Sequence, residues 1–126
     1  MAVRHVRELE AWQLAMQLVK AIYLATKTWP RDEIYGLTSQ IRRAAVAIPS
    51  NVAEGQGRNS PRDFVRFLSI AYGSLMEVQT QTLIAQDLGY VSPDASKDLM
   101  ELQDRVARIL NGLMRSLRAK LETTTD

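Results

Sequence analysis

Apolar residues recur at intervals of three and four along most of the chain, which is the spacing of amphipathic α-helices. Short stretches holding Pro30 and several glycines separate four such segments, at about residues 8–28, 37–54, 61–88 and 93–121. Four amphipathic helices with short connections predict an all-α fold, an up-down-up-down four-helix bundle that forms a single domain over residues 1–126.

The first helix carries two apolar stripes, one residue apart and so about 100° apart around the helix axis. The first stripe holds Leu9, Trp12, Met16, Val19, Tyr23 and Thr26. The second stripe holds Ala11, Ala15, Leu18, Ile22, Ala25 and Trp29. One stripe is enough for a core, so we expect the second to need another cover, either a third neighbouring helix or another subunit.

The second helix contains a proline and is followed closely by two glycines. Pro49 removes one backbone hydrogen bond, which predicts a kink, or alternatively a helix that ends at Ile48 and restarts at Pro49. Gly55 and Gly57 favour an end near Glu54.

The third and fourth helices share a start signal, because Ser60 and Ser92 are each followed by proline and then an acidic residue in the first turn. Gly73, in the middle of the third helix, is poor for helix propensity. It indicates a tight helix crossing or room for a partner side chain.

Composition narrows the functional classes. Hydrophobic residues make up 46% of the chain, the net charge is +2 and cysteine is absent, so disulfides and thiol chemistry are excluded. No apolar run approaches the roughly 20 residues of a membrane span, and the N-terminus lacks the apolar block of a secretion signal. These features favour a cytoplasmic protein without membrane partners.

Catalytic chemistry has no support in the residue pattern. His5 is the single histidine and no Glu-x-x-His pair occurs, so the ligand set of a di-metal bundle is missing. The run GQGRNS lacks the lysine of a phosphate-binding loop. We therefore expect no catalytic residues, no metal, no cofactor and no enzymatic activity.

Residues 40–57 hold the densest set of polar groups on an otherwise apolar helix. With Glu77 of the third helix they predict a partly buried network that fixes helix register, in which Arg42 or Arg43 pairs with Glu77 and Glu54 pairs with Arg58 or Arg66. The predicted network is Gln40, Arg43, Asn51, Glu54 and Glu77. The alternative is a polar groove that grips phosphate or an acidic partner.

Arginines concentrate near the ends of the second and third helices and along the fourth. A solvated surface is one interpretation. In an oligomer, however, such charge would be multiplied, and nucleic-acid binding would gain from counterion release. No aromatic-rich basic platform appears, so sequence-specific reading is not expected. The candidate residues for nucleic-acid or partner binding are Arg42, Arg43, Arg58, Arg62, Arg66, Arg105 and Arg108, with Arg31, Arg115 and Arg118 near them.

The runs IYGLTSQIRRAAVAIPSNVAEGQGR and DFVRFLSIAYGSLMEVQTQ are distinctive. Together with ELEAWQLAMQLV and LGYVS, they resemble the four-helix-bundle proteins encoded in intervening sequences of bacterial 23S ribosomal RNA genes. The resemblance covers about residues 9–117. One departure is Ala47, where many members have serine.

This resemblance implies a bundle that assembles as a ring-like homopentamer. It also implies kinship with accessory proteins of diversity-generating retroelements, which are basic and bind nucleic acid and a reverse transcriptase. Nothing in the sequence assigns the chain to that branch.

Two hypotheses follow. The first is a non-enzymatic oligomeric bundle that binds RNA or DNA, or a nucleic-acid-processing protein, weakly and without sequence preference. The alternative is a structural or protein-interaction assembly module with no nucleic-acid role.

Overall fold

The computed structural model describes residues 5–123, which form four α-helices and no strand. The helices are α1 Glu10–Thr26, α2 Leu37–Gly57, α3 Pro61–Asp87 and α4 Pro93–Thr123. Short 3-10 turns lie at Val6–Glu8 and Arg31–Glu33. The prediction of an all-α four-helix chain is confirmed. No helix among these residues is both long and apolar enough to cross a membrane.

The helices close into a bundle in which α1 contacts α2, α2 contacts α3, α3 contacts α4, and α4 returns to α1. Ser69 lies opposite Met114 and Thr82 opposite Gln103, so α3 and α4 run in opposite directions. The core is aliphatic, as the leucine- and alanine-rich stripes predict. Its fully enclosed large side chains include Leu18, Ile22, Ile41, Ile48, Leu68, Leu75 and Leu110.

The second apolar stripe of α1 is covered by neighbouring helices of the same chain, which is one of the two covers expected. The stripe containing Ile22 is buried within this one chain, and Trp29 beyond the helix is 7% exposed. In the other stripe Met16 is 43% exposed and Tyr23 is 40% exposed. The physical reason is that small Ala11 and Ala15 let the helix sit close to its neighbours.

Helix α2 continues through Pro49 and Gly55 and ends at Gly57. Pro49 is buried inside a helix assigned without a break, so the alternative of an end at Ile48 is wrong. The helix ends at Gly57, one of the two glycines expected to stop it, whereas Gly55 is helical and the end lies beyond Glu54. A Cβ at Gly55 would lie 2.7 Å from Phe67 Cβ and 3.0 Å from Phe64 Cδ1. Gly55 therefore serves the close approach of α2 and α3 rather than a helix stop.

The starts of α3 and α4 agree with the predicted caps. Ser60 Oγ accepts a hydrogen bond from the Asp63 amide at 3.3 Å, and Ser92 Oγ accepts one from the Ala95 amide at 3.1 Å. Gly89 ends α3 with φ +78°, a conformation that favours glycine. Gly73 is exposed with open space where a Cβ would be, so no tight crossing occurs there within the chain.

Candidate nucleic-acid interface

Three candidate arginines lie around the connection between α2 and α3. Arg58 binds Glu54 at 3.0 Å, which confirms that predicted pair. The guanidinium of Arg58 lies 5.1 Å from the centre of the Phe67 ring, and that of Arg66 lies 4.9 Å from it. Arg62, in the first turn of α3, is exposed. Within residues 5–123 neither Arg62 nor Arg66 forms an ion pair.

The last turns of α4 add positive charge at the same end of the bundle. Because helices α3 and α4 are antiparallel and Met114 lies beside Ser69, the residues after Met114 lie near the start of α3. Arg115 and Arg118 are exposed on these turns and form no ion pair with another described residue. We call this end of the bundle, defined by Arg58, Arg62, Arg66, Arg115 and Arg118, the basic end.

Arg105 and Arg108 lie on α4 further from its C-terminus, and both are exposed. Arg108 lines a groove of about 290 Å³ together with Leu9 and Glu10 at the start of α1. These two arginines therefore extend the positive surface from the basic end along one side of the bundle.

Arg42 and Arg43 do not belong to the basic end. Arg42 is half-buried against α1, where its Nε donates to Thr26 Oγ1 at 2.8 Å and its guanidinium lies 4.6 Å from the centre of the Tyr23 ring. Thr26 is the last residue of α1, so Arg42 lies toward the opposite end of the bundle. The predicted binding residues thus fall into separate places rather than one surface.

The predicted polar network is not assembled as one unit. Gln40, Arg43 and Glu77 meet along a groove of about 370 Å³ between α2 and α3, yet all three are exposed. Asn51 Nδ2 instead donates to the Ala47 carbonyl at 2.8 Å, and Glu54 pairs with Arg58.

The predicted pairing of an arginine with Glu77 is likewise not formed. Among residues 5–123 no ion pair joins Arg43 to Glu77, and Arg42 faces α1 rather than α3. Arg42 and Arg43 are adjacent in the helix and point about 100° apart around its axis, so they cannot both face α3.

A second polar cluster, which the sequence reasoning missed, lies at the end opposite the basic end. Glu33 accepts from the Leu37 amide at 3.0 Å and from the Tyr90 hydroxyl at 2.8 Å. These two hydrogen bonds hold the pKa of the Glu33 carboxyl below its ordinary value, and the one from the Leu37 amide has the larger effect. The bond to Glu33 in turn raises the pKa of Tyr90, and the Tyr90 ring packs 5.8 Å from that of Trp29.

Sequence signals for this cluster were partial. An acidic residue just before α2 is typical of helix starts, and that signal could have singled out Glu33. No spacing rule connects Glu33 to Tyr90, 57 positions away.

The outer side of α1 is apolar and only partly covered. Trp12 and Val19 are half-buried, while Met16 and Tyr23 are about two-fifths exposed. We call these four residues the α1 outer face. Contiguous apolar surface of this kind on a small domain is typical of an interaction site.

Metal chemistry has no counterpart in the described residues, where no group of three or more histidine or acidic side chains could hold an ion. His5 lies outside the bundle, where its Nδ1 accepts from the Arg7 amide at 3.1 Å.

Comparison with known proteins gives consistent results. A family model described as "23S rRNA-intervening sequence protein" matches residues 7–112. A crystal structure of a protein of unknown function from the S23 ribosomal protein family of Bacteroides thetaiotaomicron has the same fold, with a TM-score of 0.74 and 16% identity. The match covers 82% of this chain and 97% of that one. No curated protein matches the sequence.

Proposed function

Because the chain belongs to the family of 23S rRNA-intervening sequence proteins, we propose that it acts by binding nucleic acid and not by turnover. The contact surface is the basic end, and the ligand is the phosphate backbone of RNA or DNA, alone or in a nucleoprotein. The observation that carries this proposal is the set of exposed arginines there that no acidic side chain among residues 5–123 neutralises: Arg62, Arg66, Arg115 and Arg118.

The arrangement of these arginines suits backbone contacts rather than base reading. Guanidinium groups bind phosphate through two parallel hydrogen bonds. The N-terminus of α3 adds the positive end of the helix dipole beside Arg62. Phe67 is half-buried and two guanidinium groups lie over its ring, so the ring is no open stacking platform for bases.

A salt titration tests the proposal. Binding of a single-stranded RNA should weaken linearly on a plot of log K against log salt, with a slope set by the number of phosphates contacted. The double variant Arg62→Glu with Arg66→Glu should reduce the magnitude of the slope by about 1.4, because each phosphate contact on a single strand contributes about 0.7. The control is the double variant Lys20→Glu with Lys97→Glu. It changes the net charge by the same amount at two exposed lysines away from the basic end, and it should bind RNA nearly as wild type does.

Two results would count against nucleic-acid binding at the basic end. One is the absence of binding at low salt. The other is an equal loss in the Lys20 and Lys97 control, since that would show a response to net charge alone.

We also propose that copies of the chain associate through the α1 outer face into a homopentamer, as the family resemblance implies. The exposure of Met16 and Tyr23 supports this, since burying such side chains stabilises an interface. Association would bring several basic ends into one particle and multiply their charge.

Native mass spectrometry tests the assembly. Wild-type protein should have five times the chain mass of 14.2 kDa, and Met16→Asp should shift the mass toward that of one chain. The matched control Gln17→Asp, at the next exposed position, should keep the wild-type mass. A wild-type protein that stays at the mass of one chain would exclude the pentamer.

A further inference from the structure

A pocket of about 310 Å³ lies at the end of the bundle opposite the basic end, where α1 connects to α2. It is lined by both helices and by the turn between them. The lining residues are Thr26, Lys27, Trp29, Pro30, Arg31, Ile34, Thr38 and Arg42. Three of these carry positive charge, and no acidic side chain is among the described residues that line the pocket.

Arg42 is held in place before any ligand arrives. Its Nε donates to Thr26 Oγ1, and the face of its guanidinium lies against the Tyr23 ring. The Thr26 hydroxyl is itself fixed, because it donates to the Ile22 carbonyl at 2.8 Å. The two terminal nitrogens of Arg42 have no partner among residues 5–123 and remain able to donate. Such an arginine loses little side-chain entropy on binding an anion.

Two acidic residues follow Arg31 in the turn, of which Glu33 is engaged elsewhere and Asp32 forms no ion pair with another described residue. Glu33 uses Oε1 to accept from the Leu37 amide and Oε2 to accept from the Tyr90 hydroxyl. Lys27 and Arg31 are exposed at the mouth of the pocket, and neither forms an ion pair with another described residue. The pocket therefore keeps three positive charges.

Trp29 and Thr38 add neutral hydrogen-bonding groups to the lining of the pocket. The Thr38 hydroxyl can donate or accept. The Trp29 indole N–H is buried and has no hydrogen-bond partner among the described residues. A buried donor without an acceptor costs about 1–3 kcal/mol, so donors of this kind usually mark a place that an acceptor fills.

We propose that this pocket binds a phosphate group, with Arg42 as the central ligand and Arg31 and Lys27 at the mouth. Three cations match a dianion better than a singly charged carboxylate, and hydroxyl and N–H donors complete a tetrahedral oxyanion's contacts. Free phosphate and the terminal phosphate of a nucleic acid share this chemistry. The site is separate from the basic end, so this proposal and the proposed function are tested independently of each other.

Calorimetric titration at constant ionic strength tests this inference. The probes are inorganic phosphate and two otherwise identical short RNAs, one with a 5′-phosphate and one with a 5′-hydroxyl. Wild type should bind inorganic phosphate saturably. Arg42→Gln should weaken it about tenfold or more, because a hydrogen bond to a charged group contributes at least that factor.

Two further variants keep the test interpretable. Arg31→Gln changes an exposed side chain, so it should weaken phosphate binding without unfolding the protein, even if Arg42→Gln perturbs α1. Arg43→Gln removes the same charge from the adjacent helical position, which faces a different groove, and should leave phosphate binding unchanged.

The RNA probes distinguish the two sources. Tighter binding of the 5′-phosphorylated RNA, lost in Arg42→Gln but kept in Arg62→Glu with Arg66→Glu, assigns the pocket to a nucleic-acid terminus. Binding of inorganic phosphate with no preference between the RNAs assigns it to a free phosphate compound. No saturable binding of phosphate together with equal binding of both RNAs overturns the proposal, as does an equal loss of phosphate binding in Arg43→Gln.

Discussion

Replacing Gly55 by alanine tests whether the contact between α2 and α3 is as close as the structure indicates. The added Cβ would lie 2.7 Å from Phe67 Cβ, 3.0 Å from Phe64 Cδ1 and 3.3 Å from the Phe64 carbonyl oxygen. Phe67 Cβ is attached to the backbone and cannot rotate away. The two helices must therefore separate by several tenths of an ångström.

The expected magnitude comes from two opposing effects. Alanine in a helix interior is favoured over glycine by about 1 kcal/mol. Overpacking a close contact costs about 1–3 kcal/mol, and the rigid neighbours of Gly55 place it near the upper value. The net result for Gly55→Ala is a loss of about 2 kcal/mol, or a Tm lower by about 8 °C.

A matched control uses another glycine in a helix interior. Gly73 has open space where a Cβ would be, so Gly73→Ala should raise stability by about 1 kcal/mol. Both variants are compared with wild type by urea unfolding followed by far-UV circular dichroism, at one fixed protein concentration because assembly affects apparent stability. If Gly55→Ala were as stable as Gly73→Ala, the packing explanation of Gly55 would be refuted.

Two further substitutions probe polar groups inside the fold. Gln103 is fully buried, and its Nε2 donates to Thr82 Oγ1 while its Oε1 has no partner. Gln103→Leu should be more stable than wild type by about 1 kcal/mol in thermal unfolding, because the unpaired Gln103 Oε1 is removed. The Thr82 hydroxyl keeps its hydrogen bond to the Val78 carbonyl. A loss of stability in this variant would contradict the explanation. Glu33→Gln should lower Tm at neutral pH. The native pKa of Glu33 is depressed, so its charge stabilises the fold above the unfolded-state pKa, and that stability disappears as pH falls through the lower native value. The Tm difference should therefore close in acid. A Glu33→Gln difference that is constant with pH would show that the charge of Glu33 is irrelevant to stability.

The helices could be predicted because their signals are local. Apolar periodicity identified four segments, and the serine–proline pairs at Ser60 and Ser92 placed two helix starts correctly. Gly55 was misread because its meaning depends on Phe64 and Phe67 in another helix, whereas the rule for glycine at helix ends uses only neighbours in sequence. The partial exposure of Met16 and Tyr23 could not be predicted, because periodicity shows that a face is apolar but not which neighbour covers it.

The candidate site was predictable only in part. An arginine-rich composition could indicate an anionic partner, and Glu54 with Arg58 followed from helical spacing. The separation of Arg42 from Arg58 and Arg62 required the antiparallel course of the helices and the contact of Arg42 with α1. The pocket beside Trp29 combines residues from α1, the turn that follows α1, and α2, so no single stretch of the sequence predicts it.

Amide hydrogen exchange with and without a single-stranded RNA at low salt tests the central claim most directly. The proposed function predicts slower exchange on RNA binding in the segments around Arg58–Arg66 and Arg115–Arg118. The first turn of α3 should respond most, because it holds Arg62 at the positive end of the helix dipole. RNA that binds while leaving both segments unchanged, and protects another surface instead, would contradict the assignment of the basic end.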